Sequence, residues 1–435
     1  MRLTADLRDL AAVPAFRTLL AVRLVSQTGD GMVQAGLATL FFFRPQNMAD
    51  ATGVAAALVV MLLPFSTIGP FAGPFIDRWR RRQTLLACNL VRSGLIAMTA
   101  ICLSTQGIGP AVYVLVLIIL GVNRFLLSVL SAGLPQIIRH ERLLVANSIT
   151  PTLGGAATAV GVGLGLLLRL LIPVGIGQDI GNLTIAAGLY ALAAGVVTRL
   201  GRDELGPERI DRRMGIASAL AATAGDLGSA IRYLVRRGTP GLALTTMALH
   251  RFVYGMELIT MILMARNLLA PPEDADAGLA VFGTLLGAMV AGHGLAVVIT
   301  PLAHEAVAPS TWIVMCLVGG TVGQLVLVAT HALHAMVAGI LVFGIGVQGA
   351  KIAVDTIVQT DTVDAYRGRA FSIYDVLFNT AECLAAGVAV LVLPSGGWSR
   401  GVQVALVVFV WAVALVYRGR VRALGDQPRA VGDSA

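Results

Sequence analysis

Residues 54–82 read VAAALVVMLLPFSTIGPFAGPFIDRWRRR. No charge occurs from Val54 to Ile76; Asp77 follows, and then Arg78, Arg80, Arg81 and Arg82. A helix needs about 20 apolar residues to cross about 30 Å of hydrocarbon. A cluster of arginines at its end marks the cytoplasmic side of a bilayer. The stretch therefore reads as a membrane-spanning helix that stops at the inner surface, and its recurrence along the chain decides the fold.

The pattern recurs many times. Ala111 to Asn123 is uncharged, and another long apolar run begins near Gly278 and ends at Leu302. Over 435 residues, 57% are hydrophobic, 13% are charged and the mean hydropathy is +0.82. A soluble domain carries about 25% charged residues, so these runs are not the core helices of a water-soluble protein. Breaks at proline, glycine and charge place spans near 17–43, 54–75, 84–105, 111–133, 145–172 and 183–200. A polar stretch follows, and then spans near 241–264, 278–302, 311–330, 332–354, 370–394 and 400–417. The chain thus divides into six spans (residues 1–200), a connector (201–240), six more spans (241–420) and a polar tail (421–435) expected to be disordered. The polar N-terminus, with Arg2, Asp6, Arg8 and Asp9, does not read as a cleavable leader.

The net charge of +8 is explained by topology rather than by nucleic acid. With both termini cytoplasmic, 24 of the 32 basic residues fall on the inner side. Only Arg44, Arg266 and Arg400 fall outside, and Arg23, Arg92, Arg124, Arg169 and Arg251 lie within spans. This is the positive-inside bias of a multi-pass protein of the cytoplasmic (inner) membrane. Arginine outnumbers lysine 31 to 1, which points to a GC-rich bacterial genome. The four cysteines (Cys88, Cys102, Cys316, Cys383) sit in spans without metal-ligand spacing. No metal or other cofactor is expected. No phosphate-cradling G-x-x-x-x-G-K-[ST] occurs and no catalytic pair stands out. An ATP-driven pump and an enzyme are both disfavoured.

Within the connector, Ile216, Leu220, Thr223, Leu227, Ile231 and Leu234 recur at steps of three and four. That period predicts an amphipathic helix, ending in Arg232, Arg236 and Arg237, laid against the inner membrane surface and its lipid.

The loop after the second span carries the most specific motif. Gly73, Asp77, Arg78, Arg81 and Arg82 match G-x-L-x-D-R-x-G-R-R, and the segment resembles the loop signature of the major facilitator superfamily; Arg80 stands where that family carries glycine. The drug- and siderophore-exporter branch is resembled by further segments. These are Leu134-Pro135 with Arg142-Leu143 and Ala146-Asn147-Ser148, Arg367-Gly368-Arg369 with Ser372, and Gly225-Asp226-Leu227 through Tyr233-Leu234. Its G-P-x-x-G-G string in the fifth span is absent; Gly154, Gly155, Gly161, Gly163 and Gly165 stand there instead. The resemblance implies an all-α membrane protein of twelve transmembrane helices in two pseudo-symmetric six-helix bundles. It also implies that Gly73, Asp77, Arg78, Arg81 and Arg82 form a cytoplasmic latch, with Asp77 facing the start of the eleventh span. The plainer reading of these arginines is a positive-inside stop signal.

Polar side chains recur inside the spans. Arg23, Gln27, Asp30 and Gln34 share one helix face, as do His250, Tyr254 and Glu257, and Asp375, Asn379 and Glu382. Asn123 and Arg124 lie in the middle of the fourth span, and Gln348, Lys351, Asp355 and Gln359 line the inner end of the tenth. A charge at the bilayer centre costs at least about 2.5–3.5 kcal/mol, so these groups must face a wet interior or one another. The halves also echo each other: Arg23 and Asp30 in the first span correspond to Arg251 and Glu257 in the seventh. Internal repeats of this kind are typical of secondary transporters. In the superfamily the first, fourth, seventh and tenth spans line the central cavity. Arg23, Gln27, Gln34, Asn123, Arg124, His250, Arg251, Tyr254 and Asn379 are therefore the expected cavity polar residues.

A carboxyl in a low-dielectric interior holds its proton more tightly and a nearby arginine loosens it again. Asp30, about 20 Å into its helix, is the first candidate for proton coupling, followed by Glu257 and Glu382. The bland alternative is a permanent ion pair, Asp30 with Arg124 or Glu257 with Arg251. On the coupling reading, Asp30→Asn abolishes proton-driven movement and leaves the fold intact. The function expected is secondary active transport of a small, amphipathic solute by alternating access, outward in exchange for protons, by a monomer. An uptake permease of the same fold, or a non-transporting membrane sensor, remains open at this point.

Overall fold

The computed structural model describes residues 8–38, 52–57, 59–60, 75, 78–107, 109–138, 143–172, 176–206, 215–271 and 274–425. Twelve long helices occur among them: α1 (Pro14–Ala38), α2 (Arg81–Gln106), α3 (Pro110–Ile137), α4 (Leu143–Leu171), α5 (Ile176–Val197), α6 (Ile216–Arg237), α7 (Thr239–Asn267), α8 (Ala275–His304), α9 (Pro309–Ala329), α10 (Leu333–Asp361), α11 (Asp364–Val392) and α12 (Arg400–Leu424). No strand occurs among the described residues. Helix ends follow local chemistry. Pro110 and Pro309 open α3 and α9, where a missing N–H costs nothing. Asp274 accepts a hydrogen bond from the Ala277 amide at 2.9 Å to cap α8.

The helices α2 to α5 and α7 to α12 are long and apolar enough to cross a membrane. The helix α1 is as long as the others but carries Arg17, Arg23 and Asp30. The expected span 54–75 lies mostly outside the described residues. Large apolar side chains such as Leu171, Val298, Leu391 and Val408 are exposed, as faces turned to lipid require. Apart from 54–75, the expected spans are recovered within several residues, with three larger extensions; the twelfth runs to Leu424 rather than 417, so the first four residues of the expected disordered tail, 421–424, are helical. The sixth span begins at Ile176 rather than 183, because Asp179 is neutralised by Arg169 at 3.2 Å. The tenth runs to Asp361 rather than 354, because Lys351 and Asp355 pair at 2.7 Å along the helix.

The chain forms two compact units, residues 1–41 with 67–223, and residues 42–66 with 224–435. In the first unit α1 packs on α4 and α5, and α2 packs on α3 and α5. In the second, α7 packs on α11 and α12, and α9 packs on α10 and α12. The same scheme operates in both: first span on fifth and sixth, third on fourth and sixth. Glycine permits the closest approaches. A Cβ on Gly31 of α1 would collide with the Thr158 carbonyl of α4, and one on Gly161 with the Thr28 carbonyl of α1. The two backbones are in direct contact, the packing that small residues allow between membrane helices.

Candidate functional site

The first unit holds a polar clamp around Asp30. Arg92 of α2 is ion-paired with the Asp30 carboxylate and also donates to the Ser26 hydroxyl at 2.9 Å. The Tyr190 hydroxyl of α5 donates to Asp30 Oδ1 at 2.8 Å. Its ring lies 3.8 Å from the Arg92 guanidinium carbon. Arg92 and Tyr190 are 0% exposed and Asp30 is 6% exposed. Gly29 makes room for the Tyr190 ring, which a Cβ there would approach to 2.8 Å. Three helices are joined through one carboxylate.

The second unit repeats the arrangement with different chemistry. Glu257 of α7 accepts from Gln324 Nε2 of α9 at 2.8 Å and from Gln403 Nε2 of α12 at 3.0 Å. All three residues are buried. Carboxylate and partners again lie on the first, third and sixth spans of the half, but no cation pairs with Glu257 among the described residues. The Gln324 and Gln403 carbonyl oxygens are buried and have no hydrogen-bond partner.

A separate cluster joins α7 to α11. Arg251 is ion-paired with Glu382, and their side chains are 22% and 8% accessible. The Arg251 guanidinium carbon lies 3.9 Å from the Tyr254 ring centroid and 5.1 Å from that of Phe378. His293 of α8 stacks on Tyr254 with centroids 6.5 Å apart. Phe378 in turn packs against Tyr374 at 4.2 Å, and Lys351 stands 5.8 Å from the Tyr374 ring. This is a string of aromatic surface and paired charge. Among the described residues, no cluster of three or more His, Cys, Asp or Glu side chains is placed to hold a metal ion.

Two curated proteins resemble the chain over most of its length. They are uncharacterized MFS-type transporters of Mycobacterium tuberculosis and Mycobacterium bovis, each 32% identical over 394 residues, covering 90% of this chain and 87% of theirs. The chain belongs to the major facilitator superfamily. No family model matches it. Solved structures of the superfamily fold agree at low identity. The POT family transporter PepTSo superposes with a TM-score of 0.66 at 12% identity, covering 94% of this chain and 98% of that one. The nucleoside transporter NupG gives 0.61 at 13% identity, covering 93% and 98%. Likeness at that level shows the fold alone.

In this facilitator the polar residues marked from sequence are partly regrouped. Asp30 pairs with Arg92, not Arg124, and Arg251 pairs with Glu382, not Glu257. The stripe Arg23, Gln27, Asp30, Gln34 does not act as one face. Arg23 Nε donates to Gln27 Oε1 at 2.9 Å beside Gly154 of α4. Asp30 meets α2 and α5, and Gln34 is exposed. Crossing helices change the neighbour beneath a stripe as depth changes. Asn123 and His250 are buried, Arg124 is half-buried, and Asn379 is half-buried and donates to the Asp375 carbonyl at 2.7 Å.

The arginines after the second span grip the end of the sixth. Arg80 pairs with Asp203 at 3.2 Å, Arg81 donates to the Leu205 carbonyl at 3.0 Å, and Arg82 to the Thr198 carbonyl at 3.1 Å. Arg78 is half-buried, while Gly73 and Asp77 lie outside the described residues. The connector and eleventh-span motifs meet each other. Asp226 pairs with Arg369 at 3.2 Å, and the Tyr233 and Tyr366 rings stack at 4.4 Å. Sequence reasoning missed Tyr190, Gln324 and Gln403 as site residues and named Arg92 only as a charge within a span. Mid-span glutamines and an arginine facing no acid on its own helix were the available signals; Tyr190 gave none.

Proposed function

We propose that this facilitator exports a small amphipathic solute across the cytoplasmic membrane by alternating access in exchange for protons, and that Glu382 with Arg251 is the coupling pair. One observation carries the choice of residue. Among the described residues Glu382 has a single ionic partner, and that partner keeps 22% of its side chain accessible. A proton arriving at Glu382 cancels the charge that holds Arg251. The freed guanidinium remains stacked on Tyr254 and can take an anionic partner, so the α7–α11 contact is rewritten by one proton. Asp30 suits this role less well. Its proton would strand Arg92, fully enclosed between α1 and α5, and breaking such a buried pair costs about 3–5 kcal/mol. Glu257 is enclosed by two neutral amides and has no charge to release. The contacts of Arg80, Arg81 and Arg82 with residues 198–206 support a bracing role for these three arginines within their own half.

Cells expressing the parent, Glu382→Gln or no copy of the gene are compared by untargeted analysis of solutes inside and outside. The expected result is a solute enriched in the medium with the parent and absent from the medium with Glu382→Gln. The enrichment should disappear when a protonophore collapses the gradient. Enrichment inside the cell would establish uptake instead. Export indifferent to the protonophore would remove the proton from the mechanism.

A further inference from the structure

We infer that Arg23 binds an anionic group, a carboxylate in the first instance, on the transported solute. This rests on the transport reading of the preceding subsection and adds the chemical class of its cargo. Arg23 lies nine residues into α1, about 14 Å along a helix rising 1.5 Å per residue. A guanidinium at that depth is expensive unless its charge is met. Its Nε donates to the neutral Gln27 amide oxygen, and Nη1 is buried with no hydrogen-bond partner. The residue is 6% exposed, and no acid among the described residues pairs with it.

The acids nearby are already committed. Among the described residues of the first unit's spans, the buried carboxylates are Asp30 and Asp179, held by Arg92 and Arg169. The second unit shows what an arginine on the first span of a half otherwise does. There Arg251 meets Glu382 on the fifth span of its half. In the first unit the corresponding contact is with Gly154 of α4, where a Cβ would lie 2.9 Å from Arg23 Nε and collide with Gln27 Oε1. One half supplies the carboxylate internally. The other supplies glycine, a neutral amide and an unanswered positive charge. Guanidinium and amide together offer the planar donor set that recognises a carboxylate.

The test is equilibrium binding to the full-length protein in lipid nanodiscs, without any gradient. Its probes are three molecules matched in shape: 4-phenylbutyrate, 4-phenylbutyramide and 4-phenylbutylamine, each titrated against thermal unfolding. The parent should be stabilised by the acid at concentrations at least about tenfold below those of the amide or amine, the worth of one charge-assisted hydrogen bond. Arg23→Gln should lose that preference and, free of ligand, unfold no lower than the parent, since an unmet buried charge has been removed. Gln27→Glu supplies the missing carboxylate from within and should raise the unfolding temperature while abolishing the response to acid. Glu257→Gln, which leaves the Arg251–Glu382 pair in place, should keep the response. An acid response absent in the parent, or unchanged in Arg23→Gln or Gln27→Glu, overturns the inference. So does a ligand-free Arg23→Gln protein that unfolds well below the parent, which would make Arg23 a structural strut.

Discussion

Replacing Asp30 by Asn removes the one negative charge in a cluster where Arg92 and Tyr190 are both 0% exposed. Asn keeps an oxygen that can accept from the Tyr190 hydroxyl, so hydrogen bonding survives in part. The Arg92 charge does not find another partner. Removing one member of a buried ion pair costs about 3–5 kcal/mol, and the retained oxygen places Asp30→Asn near the lower end, about 3 kcal/mol. For a unit of roughly 200 residues, each 1 kcal/mol shifts the midpoint by about 2–4 °C. The expected fall is roughly 6–12 °C in thermal unfolding followed by intrinsic fluorescence in nanodiscs. Adding Arg92→Leu should restore most of it, because a clamp without either charge carries no stranded ion. The double-mutant cycle then gives a coupling of about 2 kcal/mol or more. The reasoning fails if Asp30→Asn unfolds within a degree of the parent, or if the double variant is as unstable as the two single losses added together. The enclosure of the Asp30–Arg92 pair is the reason to expect a loss of stability here, where the sequence alone led to the expectation that Asn at position 30 leaves the fold intact.

Other substitutions separate the remaining contacts by the same measurement. Glu257→Gln should change stability by less than about 1 kcal/mol. Its new N–H groups can be met by the unpartnered Gln324 or Gln403 oxygens after an amide flip. Glu257→Ala should cost about 2–5 kcal/mol through the cavity it opens. Gly161→Ala should destabilise by about 1–3 kcal/mol by overpacking α1 against α4, whereas Gly163→Ala, with nothing within 4 Å, should be neutral or slightly stabilising. Arg81→Ala, which loses a buried bond to the Leu205 carbonyl, should cost about 1.5–3 kcal/mol. Arg80→Ala should cost under about 1 kcal/mol, because Asp203 is 69% accessible. Reversal of any of these three contrasts would show that packing and burial do not set these energies.

What could be read from the chain alone was whatever depends on position along it. Apolar length placed the spans, because crossing a fixed thickness of hydrocarbon sets a minimum run of residues. Arginine placement fixed the expected orientation for a similar reason. The amphipathic period from Ile216 to Leu234 marked the connector helix. Which buried groups meet was not decided there. Asp30 and Arg92 are 62 residues apart, and Glu257 and Gln403 are 146 apart. Helical periodicity shows which face a side chain shares but not which helix lies beneath that face. That is set by packing of one span on another, down to the glycine contact of Gly31 with α4. Only the assembled helices could give Asp30 a cation and Glu257 two amides, and leave Arg23 with the Gln27 amide and no acid among the described residues.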